Sequence, residues 1–87
     1  MERSCYGTRQ ILCENGKAAE VYYYLLREPS GLGAEIVMER AGERESAAVR
    51  CVTTSETRMR KLAALLYRNG VTPCTLRDVI EDELNKS

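Results

Sequence analysis

The 87-residue chain has no histidine, no phenylalanine and no tryptophan, and its 13 basic and 13 acidic side chains leave no formal net charge. Each absence excludes something. Without histidine, a cysteine nucleophile lacks its usual base, and a mixed Cys/His zinc site cannot be completed. Without excess positive charge, neither a general nucleic-acid coat nor a polybasic membrane binder is expected. No apolar run approaches the roughly 20 residues that span a bilayer. The longest, Val21 to Leu26, has strand length. The start, Met1 to Cys5, lacks the apolar stretch of a signal peptide. The expected compartment is the cytoplasm, where thiols stay reduced.

What is present describes a small globular chain, 44% hydrophobic and 30% charged, read as a single domain over residues 1–87. A chain of this length buries only about 60–65% of the surface it exposes when unfolded, so its margin of stability is modest. Its four cysteines, Cys5, Cys13, Cys51 and Cys74, are spaced too widely for the paired knuckles of a zinc site. Disulfides would suit a secreted chain. The expected role for these cysteines is that of small, weakly polar core residues. No GxxxxGK[ST] or GxGxxG phosphate cradle occurs. The sequence therefore supplies no catalytic set, no cofactor site and no metal site, and the chain is read as a non-enzyme.

Turn signals divide the first 53 residues into strands at about 5–14, 18–27, 32–40 and 44–53. Asn15-Gly16 is a strong hairpin signal, because a type I′ turn needs positive φ at both central residues. Pro29 to Gly31 and Ala41-Gly42 mark two further turns. A two-residue turn at Asn15-Gly16 pairs Leu12 with Ala19 and Gln10 with Val21. The second loop pairs Arg27 with Leu32 and Tyr23 with Ile36, and the third pairs Arg40 with Glu43 and Ala34 with Val49. One face then collects Tyr6, Leu12, Ala19, Val21, Tyr23, Leu25, Ala34, Ile36, Met38, Ala47, Val49 and Cys51. A slip of one residue would move a strand's whole apolar set to the other face.

The opposite face is mixed. Ile11, Tyr22, Tyr24, Leu26, Val37 and Val52 alternate there with Arg9, Glu20, Glu35, Glu39, Arg44 and Arg50. Aromatic and aliphatic residues inside a charged rim have the composition of a recognition surface. These six apolar positions are the candidate interaction surface. Base stacking on the tyrosines is disfavoured, because the neighbouring carboxylates would repel a phosphate backbone.

Residues about 55–69 predict a helix, with Met59, Leu62, Ala63 and Leu66 at helical spacing after the hydroxyls of Thr53 to Ser55. Thr53 and Glu56 have capping-box spacing. Asn69-Gly70 ends the helix, and Thr75 begins a second one at about 75–85 with Leu76, Val79, Ile80 and Leu84 on its apolar side. Both would cover the apolar sheet face, giving an α+β fold: a four-stranded antiparallel meander followed by two C-terminal helices, ββββαα. Arg58, Arg60, Lys61 and Arg68 make the first helix basic and are the alternative nucleic-acid contacts of a DNA-binding regulator. The following helix is acidic and would be repelled by phosphates. Its Asp78 to Glu83 cluster could hold a hard cation, but reads first as a solvated face.

The ending Val71, Thr72, Pro73, Leu76, Asp78, Val79, Ile80, Glu81, Asp82 and Leu84, with the strand Tyr23 to Leu26, resembles a known pattern. It is that of a domain-of-unknown-function family of small bacterial proteins common among anaerobic spore-formers. The likeness runs from about residue 18 to residue 84. It implies a small cytosolic bacterial protein and carries over no activity and no site. The functional expectation is a non-enzymatic interaction or regulatory module acting on an unidentified protein or on a second copy of itself.

Overall fold

A computed structural model describes residues 1–12 and 16–85. Four strands, β1 (Glu2–Leu12), β2 (Ala18–Glu28), β3 (Gly31–Arg40) and β4 (Glu43–Thr53), precede helix α1 (Glu56–Arg68). A 3₁₀ turn at Pro73–Thr75 then leads into helix α2 (Leu76–Asn85). The strands form one antiparallel sheet in sequence order, and the expected α+β meander with two C-terminal helices is the observed fold.

Two of the three expected registers are present. Val21 pairs with Met38 and Tyr23 with Ile36, and Ala34 pairs with Val49. Ala41 and Gly42 both have positive φ, 48° and 80°, so the β3–β4 connection has the backbone of a type I′ turn. The first hairpin differs by one residue. Ile11, not Leu12, pairs with Ala19, and Arg9 pairs with Val21. Gly16 has the expected positive φ, 79°, while Asn15 lies outside the described residues. The shift reverses β1: Ile11 and Arg9 face the helices, and Leu12 is left 81% exposed. A bulge between Cys5 and Gly7 expels Tyr6 from the ladder, so Tyr6 is 38% exposed instead of joining the core. A second irregularity in β4 sets Arg50, Cys51 and Val52 against Gly33 alone, with Cys51 at φ 56°. Cys5, Cys51 and Cys74 are exposed, which corrects the expectation of core cysteines; Cys13 lies outside the described residues.

The core lies between sheet and helices. Ala19, Val21, Tyr23, Ala34, Ile36 and Met38 from the sheet meet Met59, Leu62, Leu66, Leu76 and Ile80 from the helices. Each large apolar side chain buried this way stabilises by about 1.5–3 kcal/mol. Tyr23 keeps its hydroxyl satisfied by donating to the Val71 carbonyl at 2.9 Å. Burial is the main cause that pushes its phenol pKa up.

Helix α1 is held at both ends. Ser55 is its N-cap, accepting from the Arg58 amide at 3.3 Å, while the Thr53 hydroxyl accepts from the Ser55 amide instead of forming the expected capping box. At the other end Gly70, φ 61°, donates to the Tyr67 carbonyl, and Val71 donates to that of Leu66. These two bonds make a Schellman motif. The inward-turned Arg9 completes this end. Its guanidinium donates to the carbonyls of Tyr67 and Arg68 at 2.6 and 3.0 Å, where the helix dipole favours a cation. Gly7 leaves room for the Tyr67 ring, since a Cβ there would lie 2.9 Å from Tyr67 Cε1.

Candidate interaction surfaces

The outer sheet face carries four of the six candidate residues. Tyr22, Tyr24 and Leu26 alternate outward along β2, with Val37 across from Tyr22, Glu35 across from Tyr24 and Gly33 across from Leu26. Ile11 and Val52 are not among them. Both pack against the helix-side core, Ile11 through the shifted register and Val52 through the β4 irregularity. Leu26 and Val37 are only 3% and 2% exposed, so this face holds a small apolar layer of its own.

Charged side chains on this face are paired with one another. Arg3 lies 4.3 Å over the Tyr24 ring and reaches Glu35 at 3.0 Å. Arg50 forms two 2.6 Å hydrogen bonds to the Glu28 carboxylate. This fork holds the Glu28 carboxyl below its ordinary pKa and raises that of Arg50. Tyr22 donates to Glu20 at 2.6 Å, and that bond is the main cause that pushes its phenol up to about 12. Glu39 and Arg44, cross-strand partners, approach to 3.8 Å.

The helical layer is different. Arg58, Lys61, Leu65 and Arg68 fall on one stripe of α1 and, with Leu62 and with Glu83 and Leu84 of α2, line a groove of ≈ 280 Å³. Leu62 is buried, and Leu65 and Leu84 are half-buried. The cations above these leucines are exposed, and among the described residues no ion pair includes Arg58, Lys61 or Arg68. Arg60, the fourth basic residue of the alternative reading, lies apart. It approaches Glu56 at 3.5 Å, and Glu56 also binds Arg27 at 2.7 Å. The hydrogen bond from Arg27 is the main cause that keeps the Glu56 carboxyl below its usual range. On α2, Asp78, Glu81 and Asp82 are exposed on the side turned away from Leu76 and Ile80.

A family model matches residues 2–86. The chain belongs to DUF6514, a family of unknown function. No curated protein matches it, and no solved structure does. The match to DUF6514 spans both surfaces, so it favours neither. Among the described residues of this DUF6514 chain, no helix is long and apolar enough to cross a membrane.

Spacing alone does not separate the groove's leucines from the core, because Leu62 belongs to the helical core stripe and Leu65 lies beside it at the groove. The signal was nevertheless present. Positions 58, 61, 65 and 68 recur at helical spacing, whereas position 60 falls about 200° around the helix from position 58.

Proposed function

We propose that this DUF6514 chain is a non-enzymatic, cytoplasmic protein-interaction module that meets its partner through the α1/α2 groove. The observation that carries this reading is the exposed row Arg58, Lys61 and Arg68, without carboxylate partners among the described residues, above the half-buried Leu65 and Leu84. Apolar area beside unneutralised charge offers a partner both burial and steering. The outer sheet face, by contrast, already spends its charges on itself.

Photo-crosslinking in the source cell tests the choice of surface. A crosslinker at position 65 should trap a protein, and the Arg58→Ala, Lys61→Ala, Arg68→Ala variant should lose that adduct. Adducts from position 22 and none from position 65 would return the binding role to the tyrosine face.

The same cation row favours a second reading, a DNA-binding regulator. Against it stand the acidic residues of α2 beside the row and the zero net charge. Duplex DNA titrated across a salt series decides between them. Phosphate contacts by Arg58, Lys61 and Arg68 would give a steep loss of affinity with salt, close to one power of salt per contact.

A further inference from the structure

Within the proposed reading of the groove side as a binding surface, we infer that the occupant is a second copy of this chain. In the resulting two-fold dimer, α1 of each protomer lies against α2 of the other. The argument begins with charge segregation. Between residues 55 and 70 the chain has four basic side chains and one acidic; between 71 and 85 it has four acidic and one basic. Overall neutrality therefore conceals two neighbouring helices of opposite sign.

The spacing also matches. Arg58 and Lys61 are three residues apart on α1, and Asp78 and Glu81 are three apart on α2, a rise of about 4.5 Å in each case. All four side chains are exposed, and none has an ion-pair partner among the described residues. Within one protomer these pairs do not meet. A two-fold axis brings the basic pair of one copy to the acidic pair of the other, and symmetry makes the contact twice. Leu65 would supply apolar area between the two contacts. An unrelated acidic partner would satisfy only the α1 half and leave Asp78 and Glu81 exposed. A second copy satisfies both.

Light scattering and sedimentation of the purified chain test this. The native protein should be dimeric at about 50 mM salt and shift toward monomer at about 500 mM, where the screening length falls to a few ångströms. Two charge-reversed variants, Arg58→Glu with Lys61→Glu and Asp78→Lys with Glu81→Lys, should each be monomeric, with circular dichroism showing that each is folded. Mixed in equal amounts, they should recover a heterodimer, because both α1–α2 contacts again join opposite charges. A native monomer at low salt, or folded variants that stay monomeric when mixed, would overturn the dimer. If a monomeric chain still gives a foreign adduct from position 65, the interaction-module reading survives and only its self-association fails.

Discussion

On the outer sheet face Arg3 and Arg50 reach carboxylates at 3.0 and 2.6 Å, and Leu26 and Val37 are buried. On the α1/α2 side Arg58, Lys61 and Arg68 have no such partners among the described residues, and Leu65 remains half-exposed. Both faces combine cations with aliphatic residues. The difference is whether neighbouring strands present acids within reach. In the sheet, cross-strand register places Glu39 beside Arg44 and leads Arg3 over Tyr24 to Glu35. In the helical layer Asp78 and Glu81 of α2 face away from Leu76 and Ile80 and form no ion pair with Arg58 or Lys61 among the described residues. Composition puts the tyrosine face first; pairing geometry is the reason to propose the groove instead.

The largest effect that could break this comparison comes from Leu26. If the outer face holds an apolar layer, Leu26→Ala should cost about 2–4 kcal/mol in denaturant unfolding, as for other buried leucines. A loss within about 0.5 kcal/mol would mark the position as an ordinary surface site and restore the open-patch view.

Next comes Arg9, an arginine that serves the fold and not a partner. Arg9→Met removes two hydrogen bonds to the last carbonyls of α1 and should cost about 1–2 kcal/mol. Hydrogen exchange should rise first around Tyr67 to Val71. Uniform exchange with no loss of stability would show that the Schellman motif alone suffices.

How much of this could be read in the residues depended on the turns. Pro29 to Gly31 and Ala41-Gly42 have strong geometric preferences, and the two registers they imply are present. The first hairpin departs from expectation because a two-residue Asn15-Gly16 turn predicts Leu12 opposite Ala19, whereas the ladder has Leu12 opposite Ala18. That one-residue difference sent Arg9 and Ile11 to the helix side, where alternation would not place an arginine. The irregularities at Tyr6 and Cys51 leave no compositional trace, because they insert residues without altering the apolar pattern. On the candidate face Tyr22, Tyr24, Leu26 and Val37 do share one surface, but alternation alone does not show that Leu26 and Val37 are buried in it. Pairing of long side chains across strands is a three-dimensional property.

A smaller effect is expected with pH. Arg50 holds the Glu28 carboxyl below its ordinary value, and Arg27 does the same for Glu56. For a carboxyl depressed on folding, the stabilisation is present above its unfolded pKa and is lost as pH falls through the folded one. Thermal stability should therefore fall as pH drops below about 4.5, the upper edge of the ordinary carboxylate range. Glu28→Gln should flatten part of that fall, and Glu28→Gln with Glu56→Gln should flatten more. Identical pH profiles for native and doubly substituted protein would show that these pairs do not persist in solution.

The smallest effect is the sharpest test of the comparison, because it asks for no change where charge is most conspicuous. Arg58 and Lys61 are exposed and bind no carboxylate among the described residues, so the fold should not depend on their charges. Arg58→Ala with Lys61→Ala should alter stability by no more than about 0.5 kcal/mol, since alanine is a good helix former and little contact is lost. The measurement belongs at a protein concentration low enough to keep the chain monomeric, because association would otherwise stabilise the native protein by mass action. Repeating it at rising concentration separates the two roles. The native protein's melting temperature should climb while that of the variant stays level. A large loss at low concentration would instead make the row a structural feature of α1, as Arg9 is, and would remove the reason to look for a partner there.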